Sequence, residues 1–185
     1  RPFTEVIPKP LMPLGEKSLL EVQILALKES GFDQIYIATN YKSDYIENFL
    51  GNGERYGVSL FFSKENQPLG TCGPLSLIKD SLFEPFILMN GDILTKLDFK
   101  RFYNWSLQLN ARLVLGTKTI IHPFSFGNVT ADNNSQVIDV EEKPDLRFDI
   151  LAGIYFLTPA IFDWIPEGRA FGIDELIKSL LAAGV

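Results

Sequence analysis

One cysteine, one histidine, two methionines and two tryptophans are all that this chain of 185 residues holds of those types. A lone Cys72 excludes an internal disulfide and points to a reducing, cytoplasmic setting. A single histidine leaves no material for a His-rich metal site. His122 stands beside Pro123 in a connection and reads as an ordinary linking residue. Basic charge is scarce too, with 17 Lys and Arg against 23 Asp and Glu, a net charge of −6. No basic stripe appears, which argues against a nucleic acid held through its phosphates. An acidic protein can still take a nucleoside triphosphate when a divalent cation bridges its carboxylates to phosphate oxygens. No run approaches the roughly 20 apolar residues of a membrane span, so no membrane partner is expected. Triplets of the Asn-x-Ser/Thr type begin at Asn104, Asn128 and Asn133, and in a cytosolic protein they are chance matches.

Apolar residues make up 46% and charged residues 22%, the balance of a globular domain. The spacing of Leu19, Leu20, Ile24, Leu25 and Leu27 predicts an amphipathic helix closed by Gly31. A short apolar strand follows over residues 34–39, and Ser43 is expected to cap a helix through Leu50. Further strands are expected over 58–63 and 86–89, the latter a continuous apolar run of the fully buried kind. Pro74 opens a short helix, and Asp98 caps another running to about Asn110. Residues 112–120 read as a strand, 129–131 and 137–141 as a hairpin around Asp132-Asn-Asn-Ser135, 150–157 as a strand and 173–183 as the last helix. Strands alternating with helices predict an α/β fold: a Rossmann-like, mostly parallel sheet flanked by helices, with an added antiparallel hairpin. Ligands of such sheets lie beyond the carboxyl ends of the strands, so candidate site residues should follow strands.

Three stretches carry chemistry. In Arg1-Pro-Phe-Thr-Glu-Val-Ile-Pro-Lys-Pro-Leu-Met-Pro-Leu14, prolines stiffen the backbone on both sides of Lys9, so a cation is presented from a rigid loop. Met89-Asn-Gly-Asp-Ile93 follows the most hydrophobic strand. Gly91 would let the chain turn or approach a ligand closely, and Asp92 offers a hard oxygen ligand suited to Mg²⁺. A strand-ending Asx turn would explain the same residues. In Glu65-Asn-Gln-Pro-Leu-Gly-Thr-Cys-Gly-Pro-Leu75, rigid Pro68 and small Gly70 and Gly73 would let a planar base lie against the backbone. Gln67 could bond a base edge or be solvated, and Cys72 reads as a small apolar filler. Val140-Glu-Glu-Lys-Pro144 ends a strand, where alternation puts Glu142 and Lys143 on opposite faces unless the proline bends the end. Gly51-Asn-Gly-Glu-Arg-Tyr-Gly57 follows a helix and precedes a strand, the wrong order for a dinucleotide fingerprint, and reads as a loop.

Taken in order, these motifs resemble the nucleotide-sugar pyrophosphorylases, or sugar-1-phosphate nucleotidyltransferases. The opening run is similar to the family's x-Pro-x-Thr-x-x-x-Pro-Lys-Pro-Leu-x-Pro, which there follows a glycine-rich loop. Arg1 falls on a variable position. The resemblance extends along nearly the whole chain, through Leu-Gly-Thr-Cys-Gly, Asn-Gly-Asp, Phe126-Gly-Asn-Val129, Glu142-Lys-Pro144 and Leu151-Ala-Gly-Ile-Tyr155. It implies catalytic roles for Lys9, Asp92 and Lys143, with Asp92 holding Mg²⁺. It implies nucleotide contacts from Gln67, Pro68, Leu69, Gly70, Thr71, Asn90 and Gly91. Sugar contacts would come from Gly127, Glu142, Lys143, Ala152 and Gly153. Leu151 replaces an asparagine of the family pattern, which bears on the sugar's identity more than on the reaction.

The reaction so implied transfers a nucleotidyl group from a nucleoside triphosphate to a sugar-1-phosphate and releases pyrophosphate. Among relatives the pattern looks closest to bacterial mannose-1-phosphate guanylyltransferase-like proteins, so GTP and a GDP-mannose-like product are expected. The alternative is an inactive nucleotidyltransferase-like domain with a regulatory or assembly role. Retention of Lys9, Asp92 and Lys143 together favours the enzyme. A homo-oligomer is compatible with the sequence. The 185 residues are expected to form one domain that is incomplete at both ends, wanting a central first strand, the glycine-rich loop and a second metal-binding aspartate. Alone, such a fragment should fold poorly and be inactive.

Overall fold

Ser18 and Glu21 start the first long element by satisfying each other's backbone donors. The Glu21 amide donates to the Ser18 hydroxyl at 3.3 Å, and the Ser18 amide donates to the Glu21 carboxylate at 2.8 Å. This capping box opens helix α1 (Leu19–Glu29), which ends at Ser30 before Gly31 turns left-handed at φ 92°. The computed structural model describes residues 7–185. Residues 1–6, which carry the start of the Pro-rich run, lie outside the described residues.

Two parallel strands, β3 (Gln34–Thr39) and β4 (Ser59–Lys64), pair from Gln34↔Ser59 to Thr39↔Lys64. Helix α2 (Ser43–Leu50) supplies the crossover that parallel pairing needs. Two short strands precede α1, β1 (Pro13–Leu14) and β2 (Lys17–Ser18), paired antiparallel. Leu11, Leu20, Ile24, Ile46, Leu50, Val58 and Leu60 form one buried cluster under these elements. Strands β5 (Phe86–Met89), β6 (Leu113–Pro123) and β9 (Asp145–Leu157) form a second sheet in the order β5-β9-β6. Between β6 and β9 lies an antiparallel hairpin, β7 (Asn128–Ala131) and β8 (Val137–Glu141). Helices α3 (Phe99–Gln108) and α4 (Ile173–Ala182) complete the chain. No helix among the described residues is long and apolar enough to cross a membrane.

The chain divides into two compact units. One holds the residues through Val114 together with Tyr155–Val185, and the other is Leu115–Ile154.

The α/β expectation holds, with a parallel pair, flanking helices and an added hairpin. Its turn is built by Asp132, whose Oδ1 accepts from the amides of Asn134 (2.8 Å) and Gln136 (2.9 Å) while Ser135 takes φ 63°. Asp98 caps α3 by accepting from the Arg101 amide at 2.9 Å. Gly53 and Gly57 cap a 3₁₀ turn, Glu54–Tyr56, within the connection from α2 to β4 that was read as a loop.

Three expectations are corrected. Ser43 is the first residue of α2, not its cap: Lys42 occupies the cap at φ 55°, and the Ser43 hydroxyl turns back to donate to the Asn40 carbonyl at 2.9 Å. β5 is half-buried along its length, because among the described residues it pairs on one edge only, with β9. β6 and β9 run longer than their apolar cores, to Pro123 and from Asp145, since backbone pairing continues through exposed positions.

Candidate active site

Lys9 is held by its neighbours. A 3₁₀ turn spans Lys9–Leu11, closed by Leu11 N–H to Pro8 C=O at 2.9 Å and Met12 N–H to Lys9 C=O at 3.0 Å. Pro8 and Leu11 are buried on either side, and Lys9 between them is exposed. The Pro-flanked lysine is thus presented from a hydrogen-bonded turn.

A cavity of about 380 Å³ lies beside it, lined by Lys9, Pro10, Ile37, Thr39, Asn40 and Gly91 among others. It sits at the carboxyl end of β3 and at the turn after β5, where a ligand site in an open α/β sheet belongs. Thr39 has a buried hydroxyl with no hydrogen-bond partner among the described residues. A second depression, about 390 Å³, lies on α3 around Arg101 and Trp105 and contains none of the candidate catalytic, nucleotide or sugar residues.

The turn carrying Asp92 is fixed from beneath by Gln23, a residue the sequence reading passed over. Its Nε2 donates to the carbonyls of Ile93 (2.7 Å) and Asn90 (3.2 Å). Gln23 is only 6% exposed. The signal was available, since Gln23 occupies a core-facing position one turn from Leu20 and Leu27. Gln23→Ala would strand two carbonyls and is expected to lower stability by about 1–3 kcal/mol, read from the urea midpoint. Gly91 does not adopt a left-handed backbone, and a Cβ there would meet Pro10 Cγ at 3.6 Å, an ordinary contact. Its small size leaves room in the cavity; the turn itself does not require it.

Asp92 is exposed. Among the described residues no group of three or more His, Cys, Asp or Glu side chains could hold a metal. One hard carboxylate still fits Mg²⁺, which commonly binds through one or two carboxylates, substrate phosphates and retained waters.

The loop over residues 65–75 is ordered from within and from afar. The Glu65 carboxylate accepts from the Leu69 amide at 2.8 Å. Leu69 is buried, so its side chain belongs to the core and is closed to a ligand. Pro68 and Gly70 are exposed, and Thr71 is half-buried. Gln67 Nε2 donates to the Gly168 carbonyl at 3.3 Å. Cys72 is fully buried, which with the nearby Asp174 charge pushes its thiol up to about 12. It is the apolar filler expected. Thiol reagents at pH 8 should leave the native protein unlabelled and label it in denaturant. The folded value lies above that of the unfolded chain. The thiol's contribution to stability is therefore whole below the ordinary cysteine range and is lost as pH climbs toward about 12.

Within the Leu115–Ile154 unit the structure brings together three more of the predicted residues. β8 stops at Glu141, so strand alternation does not set Glu142 against Lys143. Lys143 takes φ 50°, a left-handed conformation uncommon for a residue with a Cβ, and Pro144 after it is buried. The Phe124 amide donates to the Pro144 carbonyl at 3.0 Å and fixes this end. A Cβ added to Gly127 would lie 3.1 Å from Glu142 Oε2, so the glycine leaves space for that carboxylate. Ala152 is half-buried and Gly153 buried, the latter at φ 71° within β9. Leu151 is exposed.

The family model described as nucleotidyl transferase matches residues 1–183. The chain belongs to the nucleotidyl transferase family. A UTP–glucose-1-phosphate uridylyltransferase of Synechocystis is 30% identical, with 100% of this chain and 53% of the relative covered. Mannose-1-phosphate guanylyltransferase 1 of Arabidopsis thaliana is 33% identical over 99% of this chain and 53% of its own length. The chain thus spans about half the length of these curated relatives. Among solved structures, HddC from Yersinia pseudotuberculosis has a TM-score of 0.71 at 28% identity, covering 93% of this chain and 77% of that one. The same protein has been solved complexed with GMP-PN.

Proposed function

We propose that the protein transfers a nucleotidyl group from a nucleoside triphosphate to a sugar-1-phosphate. The observation that carries this is that Lys9, held in a 3₁₀ turn, and Gly91, the middle residue of the turn after β5, line one cavity at the strand ends. A phosphate oxygen of the sugar-1-phosphate attacks the α-phosphorus of the triphosphate. A new P–O bond forms, the bond from the α-phosphorus to the bridging oxygen breaks, and pyrophosphate leaves with that electron pair. Such chemistry asks the protein chiefly to position reactants and neutralise charge. Lys9 would face the triphosphate, Asp92 would hold Mg²⁺, and Lys143 would hold the attacking phosphate while Glu142 would receive sugar hydroxyls. Bound Mg²⁺ would neutralise phosphate charge that develops at the transition state.

The loop over residues 65–75 takes the nucleobase through Gln67, Pro68, Gly70 and Thr71. GTP and mannose-1-phosphate are the preferred pair in this reading, supported by the guanylyltransferases among the relatives and by the GMP-PN complex of HddC. The test supplies the full-length protein with Mg²⁺ and a matrix of triphosphates and sugar-1-phosphates, and measures pyrophosphate release. Release that needs both substrates, highest with GTP and mannose-1-phosphate, is expected. No release with any pair would sink the reading in favour of an inactive domain.

A further inference from the structure

We infer that residues 166–172, the connection into α4, form a strap that sets the shape of the nucleotide loop over residues 65–75, with Phe171 as its positioning residue. The inference rests on reading that loop as the nucleotide's seat. Roughly a hundred residues separate the two segments, yet the backbone of Phe171 is bonded three times to the loop. Its amide donates to the Leu69 carbonyl at 2.8 Å, and its carbonyl accepts from the amides of Cys72 (2.9 Å) and Gly73 (3.0 Å). Side chains add ties on either side, Gln67 to the Gly168 carbonyl and Lys79 to the Glu167 carboxylate.

The loop's two glycines record the same contact. A Cβ on Gly70 would lie 2.9 Å from the Phe171 carbonyl oxygen, and one on Gly73 would lie 2.9 Å from the Arg169 carbonyl oxygen. Both obstacles are backbone and cannot swing aside. The glycines therefore let the strap pass, in addition to any room they leave for a base. Phe171 is the strap's anchor: its ring is buried, with the Arg169 guanidinium 5.5 Å from the ring centre. A strap fixed in the core pre-orders a loop whose own described hydrogen bonds are two, the Leu69 amide to the Glu65 carboxylate and the Leu75 amide to the Cys72 carbonyl at 3.0 Å. Ordering settled before binding does not have to be met by the ligand, so the strap should govern nucleotide affinity and leave the chemical step alone.

Phe171→Ala in the full-length protein tests this, with Phe171→Leu as the conservative rescue. Two quantities are read: hydrogen-exchange protection of the Cys72 and Gly73 amides, and steady-state constants for each substrate. Phe171→Ala is expected to lose that protection and raise KM for the triphosphate about tenfold, with kcat and KM for the sugar-1-phosphate near wild type; Phe171→Leu restores both. Retained protection, or lost protection with an unchanged nucleotide KM, overturns the inference. So does a fall in kcat alone, the mark of a smaller folded fraction. Should Phe171→Ala not fold, Phe171→Val, a smaller truncation of the same buried ring, is judged by the same readings. A wild type that neither binds nor turns over any triphosphate overturns the functional reading and takes this inference with it. A wild type that turns over normally beside an indifferent Phe171→Ala overturns this inference alone.

Discussion

Asp92→Asn is expected to lower pyrophosphate release by about 10²-fold or more while leaving the melting temperature where it was. The two halves of that expectation have separate physical grounds. Asp92 is exposed, and its carboxylate makes no hydrogen bond or ion pair among the described residues, so the fold has nothing to lose from its charge. Exposed substitutions of this kind usually fall within about 0.5 kcal/mol. The turn's shape is set by the Gln23 amide acting on the Asn90 and Ile93 carbonyls, and both contacts survive the change. An asparagine keeps the size and one oxygen but cannot attract a divalent cation carrying phosphates. Asp98, six residues on, is the control. It caps α3 through the Arg101 amide, so Asp98→Ala should cost about 1 kcal/mol of stability and leave turnover alone. Asp92→Asn with normal turnover in a Mg²⁺-dependent assay would remove Asp92 from the machinery.

The contrast between these two aspartates shows how far the chain could be read without coordinates. Asp92 was picked out because it follows an apolar strand and Asp98 as the cap of a helix, and for Asp98 the local rule was enough: a polar side chain before a helix finds the third amide. The same rule failed at Ser43. Lys42 adopts the left-handed conformation and takes the cap position, which no propensity would place there. Strands and the Asp132 turn were legible because period and punctuation are local. What decides the candidate site is less local. Gln23 reaches across 70 residues to Ile93, and Phe171 reaches across about a hundred to Cys72. Linear spacing carries neither contact. The glycines at 70 and 73 were legible as small residues, but the reason for their smallness, a second backbone passing at van der Waals range, is tertiary. Lys9 was the clearest case of agreement, since proline restricts the chain wherever it occurs.

Lys143→Gly should separate stability from activity in a way few substitutions can. Lys143 holds φ 50° immediately before a proline, where a Cβ and the following ring both resist a compact backbone. A left-handed residue with a side chain gives up about 1–2 kcal/mol relative to glycine, which adopts that conformation freely. Glycine's greater freedom in the unfolded chain returns part of this, so the net gain should be a few tenths of a kcal/mol up to about 1 kcal/mol. That gain would appear as slower hydrogen exchange through β8 and the start of β9. Turnover should move the other way, by about 10²-fold or more, because the cation proposed to hold the attacking phosphate is gone. Lys143→Met, which keeps the bulk and loses the charge, should match the activity loss without the stability gain. Strain retained at a residue that glycine would relieve is what a positioned functional side chain predicts. Should Lys143→Gly keep normal turnover, or lose it only in proportion to unfolding, the left-handed lysine would be a feature of the hairpin's end alone, and the sugar-phosphate site would have to be sought elsewhere.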